Sequence, residues 1–244
     1  MKWFRDSTGR FAYRPHFEQI EIEAECRRIT DAFHLAKYRR AFEPPWSTDD
    51  LASLIEQHAE SLDLYADLRG REGGDVEGLT TFVRGSRPHV EIESSLTSAP
   101  RQVNRFRTTL AHECTHVVLH GPLWQMQLAA GSRGLFDQLS RPTTMKSVTR
   151  TGTGAVDWME WQANHGSGAI LMPKHLLVPV ASAFRRERGL LGTILEHDEA
   201  GVELAEAVAE RFGTSVLAAQ VRLKVLGTLE RPEADNQAEL DLDL

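Results

Sequence analysis

The apolar positions along this chain recur mostly with a helical period, interrupted by a few short strand-like runs. Between residues 17 and 40 (FEQIEIEAECRRITDAFHLAKYRR), Phe17, Ile20, Ala24, Phe33 and Ala36 fall roughly on one side and charges crowd the other, which predicts an amphipathic helix. Pro44-Pro45 ends it. Ser47, with Asp50 three residues on, resembles a capping box and opens a helix carrying Leu51, Leu54 and Ile55. Thr80 to Val83 and Val90 to Ile92 flank the turn-rich Gly85-Ser86-Arg87-Pro88 as the arms of a hairpin would, and Leu62 to Leu68 reads as a third strand. Ser98 and Pro100 then mark the start of a helix running to about His120, where Gly121-Pro122 reads as a stop. Residues 131–155 are rich in Gly, Ser and Thr and read as a long loop of the kind that forms lids and binding loops. Helical periodicity returns over 156–171, breaks at Pro173, and resumes near 201–212 and 215–226.

The pattern predicts an α+β fold, mostly helical, with a small three-stranded sheet. It divides into an N-terminal helical segment (1–46), a central domain (47–198), a C-terminal pair of helices packed on the core (199–230) and an acidic, frayed tail (231–244). Composition leaves this picture intact: 41% hydrophobic and 26% charged residues are ordinary for a soluble globular chain. No apolar run approaches the roughly 20 residues a membrane span needs, and the N-terminal MKWFRDSTGR lacks the apolar stretch of a signal peptide. With only two cysteines, Cys26 and Cys114, the expectation is a cytoplasmic protein without a disulfide framework. A net charge of −7 argues against a broad nucleic-acid-binding surface.

Candidate chemistry centres on "HECTH", residues 112–116. Each helical residue turns by about 100°, so His112 and His116 share one face, one turn apart, and their imidazoles can converge on one ion. Glu113 lies beside them, placed to act as a general base toward water. Cys114 is turned about 200° from His112 and is expected as a packed core thiol. A catalytic zinc takes three protein ligands and keeps one open position. His120 lies on the same face but about 12 Å of helix rise from His112, too far to share a tetrahedral ion with it. An extended histidine motif is excluded, because position 119 is Leu and position 122 is Pro. The third ligand must come from another element. The best candidate is Glu160 in "DWMEWQAN" (157–164), with Asn164 on the same helical face as an amide that could orient a histidine; Asp157 and His165 are alternatives.

The stretch "NRFRTTLAHECTHVVLHGPL" resembles the active-site helix of the ImmA/IrrE family of zinc metallopeptidases, which carries an Asn-Arg-x-Arg-x-Thr-x-Ala lead before HExxH and a further histidine at the position of His120. "EWQANHGSGAILMP" (160–173) is similar to that family's second motif, a Glu-x-x-Ala-Asn/Asp helix ending in Leu-Leu-Met-Pro. The resemblance covers roughly residues 17–230 and is strong at these two motifs. It implies a zincin-like fold in which the sheet braces the HExxH helix. It further implies His112, His116 and Glu160 as Zn2+ ligands, Glu113 as catalytic base and hydrolysis of a peptide bond. Asn164 and His120 are then expected behind the ligands. Gly166-Ser167-Gly168 stands where the family usually has Phe-Ala-Ala, which lightens helix packing at a cost of roughly 1 kcal/mol per glycine. The substrate implied is a protein, a co-encoded helix-turn-helix repressor.

The hairpin can offer an edge strand to an extended peptide, which makes Thr80, Thr81, Phe82 and Val83 candidate substrate-binding residues. "LAEAVAERFGTSVLAAQVRLKVLG" (204–227) has the cadence of a helix-turn-helix, with Gly213 as turn and Gln220, Arg222 and Lys224 as candidate DNA contacts. Glu203, Glu206 and Glu210 oppose phosphate, so direct DNA binding is not expected. The alternative function is a DNA-binding or partner-sensing regulator with a vestigial peptidase site.

Overall fold

The computed structural model describes residues 2–6, 11, 13–69, 76–83, 85–129, 143–144 and 157–231. Most of the expected loop (131–155) and nearly all of the expected acidic tail lie outside the described residues. The fold is α+β and mostly helical. Strands β1 (Lys2–Arg5) and β2 (Tyr13–His16) pair as an antiparallel hairpin. Helices α1 (Gln19–Tyr38) and α2 (Thr48–His58) follow, then β3 (Ser61–Ala66), β4 (Gly78–Thr81) and β5 (His89–Glu93). A short α3 (Ser94–Ser98) leads into α4 (Val103–Thr115), a π-helical turn (His116–His120) and α5 (Gly121–Ala129). After β6 (Thr143–Thr144) come α6 (Trp158–Leu171), α7 (Lys174–Glu187), α8 (Glu199–Phe212) and α9 (Val216–Val225).

The expected three strands form the core of the second sheet. β5 lies between β3, which it pairs in parallel, and β4, which it pairs antiparallel with Thr80 opposite Val90. The two residues of β6 then extend the sheet on the far side of β4, so part of the expected loop is strand. Both β4 and β5 contact α4, and the sheet therefore braces the helix that carries HECTH. One hydrophobic cluster runs from Ile22 on α1 through Leu54, Ile92, Leu110 and Ile170 to Leu223 on α9.

Three local expectations need correction. α1 buries Ile22, Cys26, Ile29 and Phe33, whereas Ile20 is 72% exposed and Ala24 and Ala36 face outward. Two alanines and one isoleucine do not outweigh the larger area of the neighbouring stripe. Ser47 caps α2 as expected, its Oγ accepting from Asp50 N–H at 3.0 Å, but the Asp50 carboxylate turns to Lys37 and Tyr38 (2.6 and 2.8 Å) instead of closing a capping box. Gly121-Pro122 does not stop the helix. Gly121 stays in the right-handed helical region and its N–H bonds back five residues to His116 O. This π turn shifts the bonding register, and Pro122 falls in the first turn of α5, where a missing N–H costs nothing.

Candidate metal centre

The π turn sets the last histidine of the run. His112 and His116 lie on α4 and its continuation, both almost fully buried, and α6 lies alongside with Glu160 facing them. The His112 and His116 Nε2 atoms are 3.1 Å apart. Glu160 Oε2 is 3.3 Å from the first and Glu160 Oε1 is 3.4 Å from the second. Donors bound at about 2.0–2.1 Å on a tetrahedral zinc stand about 3.3 Å from one another, so the three side chains already sit at the separations one ion would impose. These residues form a group that could hold a metal ion.

The proton inventory supports the same conclusion. His120 is fully buried; burial, then the neighbouring His116, push its pKa well below the ordinary value, so it is neutral. Its Nε2 faces the Gln162 Oε1 at 3.0 Å and must donate there, which leaves Nδ1 as an acceptor. That Nδ1 lies 2.9 Å from His116 Nδ1, which therefore donates to it. The remaining His116 nitrogen, Nε2, then presents its lone pair toward His112 and Glu160, the form a metal ligand needs. The charge balance favours a cation here, either a proton on His116 or a metal ion in its place. Burial opposes a charged His116, yet Glu160 outweighs it and raises the pKa; burial opposes ionised Glu160, yet His116 and His112 carry its pKa far below the carboxylate range. The centre favours a positive charge between these groups.

Glu113 is fully buried beside the two histidines, and desolvation raises its pKa. Its Oε2 accepts from Thr80 Oγ1 at 2.6 Å, while Oε1 has no hydrogen-bond partner among the described residues. A Cβ at Gly78 would lie 2.6 Å from that Oε1, so only glycine fits under the carboxylate. A second glycine sets the helix pair: a Cβ at Gly166 would lie 2.4 Å from Thr115 Cγ2. Within the Gly-Ser-Gly run, Gly166 lets α6 approach α4 closely and Gly168 faces Arg222 of α9. Cys114 is buried in the core and burial lifts its thiol pKa to about 12, as expected of a packed thiol.

Other expected site residues fall elsewhere. Asn164 is exposed, and the amide that reaches the histidines is that of Gln162, through His120. Asp157 caps α6, accepting from Met159 N–H. His165 turns away to Glu23, 3.2 Å distant. The β4 edge is occupied: β6 pairs with it at Leu79 and Thr80, and the Thr80 side chain points inward to Glu113. Phe82 and Val83 lie beyond the strand end, with Phe82 stacked on Trp124 at 5.3 Å. On α9, Arg222 grips Glu23 (2.6 and 2.9 Å) and Lys224 pairs with Glu196, so the two cations considered for DNA contact are engaged within the fold. Thr80 as partner of the base, Gly78 and Gln162 were missed in the sequence. The signal for Gln162 was its place on the helical face of Trp158 and Met159, with Asn164, the amide chosen instead, on another face.

Among the described residues no single helix is long and apolar enough to cross a membrane. No protein-family model matches this chain, and no curated protein is similar enough to be matched.

Proposed function

We propose that this chain is a zinc-dependent endopeptidase with a zincin-like fold, related through its two motifs to the ImmA/IrrE metallopeptidases. The observation that carries the reading is the set of three donor side chains, His112, His116 and Glu160, with closest approaches of 3.1–3.4 Å and a desolvated glutamate beside them. His112, His116 and Glu160 would hold the ion. Zinc supplies a Lewis acid that polarises the scissile carbonyl and activates water toward it. Thr80 holds one oxygen of Glu113 and leaves Oε1 free to accept the proton of the attacking water. As the carbon–nitrogen bond breaks, Glu113 delivers that proton to the leaving amine. Its raised pKa suits a group that must take and release a proton. Gln162 and His120 keep His116 in the ligating tautomer. The substrate class that the resemblance brings is a co-encoded helix-turn-helix repressor. The DNA-binding form of the regulator alternative loses support, because Arg222 and Lys224 are spent on internal ion pairs.

The test is co-expression of the chain with a helix-turn-helix repressor encoded beside it, as wild type and as Glu113→Gln. Wild type is expected to cut the repressor. Glu113→Gln should carry the same zinc content and lose cleavage by about 100-fold or more. Cleavage that survives the substitution removes Glu113 from its role as base.

A further inference from the structure

A groove of about 700 Å³ opens between α4, α6 and α9. None of the three candidate ligands lines it, but it lies one helical turn from two of them. Thr108 lies one turn before His112 on α4, and Asn164 one turn after Glu160 on α6, so each shares its helical face with a candidate ligand and lines the groove. Its near end is polar. Glu77, next to Gly78, pairs with Arg105, so these two charges neutralise one another there. Its far end is apolar, lined by Leu171, Met172, Leu217, Val221 and Val225. On α9, Leu217, Val221 and Val225 recur every four residues and remain 70%, 49% and 41% exposed, an apolar stripe without a partner among the described residues.

We propose that this groove seats an apolar stretch of the substrate polypeptide next to the bond that is cut; the proposal rests on the peptidase reading above. Its place one helical turn from His112 on α4 and from Glu160 on α6 argues for the substrate as occupant. The size argues for a segment with two or more large apolar side chains, since the volume exceeds what one side chain fills. No lining residue belongs to a strand, so recognition here is by side chains rather than backbone pairing. This also relocates substrate recognition from the β4 edge, which β6 covers at Leu79 and Thr80. The exposed amide of Asn164 stands at the junction, in reach of the chain that passes from groove to metal centre.

The experiment uses the zinc-loaded Glu113→Gln protein, which binds without turnover. The probes are a fluorescein-labelled amphipathic leucine–lysine peptide and a serine–lysine peptide of equal charge, read by anisotropy. The leucine peptide should bind and the serine peptide should not. Leu217→Asn with Val221→Asn, added together, should weaken binding about tenfold or more, the scale of one lost apolar anchor. Both positions are exposed, so zinc content and circular dichroism should stay unchanged. Equal binding of both peptides, no binding of either, or undiminished binding after the double substitution overturns the proposal. The binding arm does not depend on turnover, so its failure leaves the peptidase reading standing. Absence of cleavage by the wild type sinks the peptidase reading without touching the binding result.

Discussion

Two carboxylates pair with histidine at contacts made by α6: Glu23 of α1 faces His165 on α6, and Glu160 on α6 faces His112 and His116. Glu23 on α1 is met by both guanidinium nitrogens of Arg222 (2.6 and 2.9 Å) and by His165, and Arg222 spends its Nε on Met172 O. Glu160 meets only His112 and His116, whose Nε2 atoms also face each other, and neighbouring Glu113 keeps an oxygen with no partner among the described residues. Both carboxylates have pKa values held below the ordinary range by their partners against burial. Perturbed ionisation therefore does not separate a functional cluster from a structural one here. The carboxylate's main partner does: Glu23 is gripped by a guanidinium in a network that ties three helices together, and Glu160 faces only imidazoles whose lone pairs converge on a single point.

The comparison breaks if substitutions in the two clusters have the same consequence. The largest contrast is expected for Glu160→Ala. Removing a direct ligand should lower zinc affinity by more than the roughly 10–100-fold that a supporting residue costs. Equilibrium dialysis with competing chelator measures it, and near-wild-type affinity would remove Glu160 from the ligand set. Gly78→Ala comes next. The new Cβ, 2.6 Å from Glu113 Oε1, forces the carboxylate aside, and a shift of that order costs about 100-fold in turnover. Zinc content should not change. Loss of both zinc and turnover would mean that the strand, not the base, had moved.

How far the sequence disclosed this follows from which constraints are local. His112, Glu113, His116 and the outward turn of Cys114 lie within one helix, where a fixed 100° step does the geometry. Glu160 is also on a helix, but the identity of its partners depends on how α6 meets α4. That meeting is set by Gly166 against Thr115, a contact between residues far apart in sequence, and the glycine reads locally as a defect. Thr80 was noticed for its strand and not for its hydroxyl, because side-chain direction depends on what packs against the sheet. The edge it was thought to offer is taken by Thr143 and Thr144, from a stretch whose composition reads only as loop. Gly121-Pro122 misled because a stop signal assumes α-helical bonding throughout, and the π turn at His116–His120 changes the bonding just before it.

That π turn also sharpens the comparison at smaller magnitude. Gln162→Leu removes the acceptor that fixes the His120 tautomer, and through it the His116 lone pair. Zinc affinity should fall about 10–100-fold, while thermal stability of the apoprotein changes little by comparison. Equal zinc affinity in the variant would break the chain of proton assignments at its first link.

The smallest effect belongs to the satisfied cluster, and it appears as pH dependence rather than loss of zinc. Burial pushes the Glu23 pKa up, but His165 and Arg222 outweigh it and carry the value down to about 2. The unfolded chain returns it to about 4.3. A carboxylate depressed on folding stabilises the native state above its unfolded pKa, and that contribution is lost as pH falls from about 4.3 toward 2. Allowing for solvent screening at a partly exposed group, the contribution is about 2 kcal/mol at neutral pH. Glu23→Gln should lower the melting temperature at pH 7 and flatten its acid dependence in that window, with zinc affinity near wild type. If Glu23→Gln instead releases zinc at neutral pH, the two clusters are coupled through α6, and the guanidinium partner no longer distinguishes one carboxylate from the other.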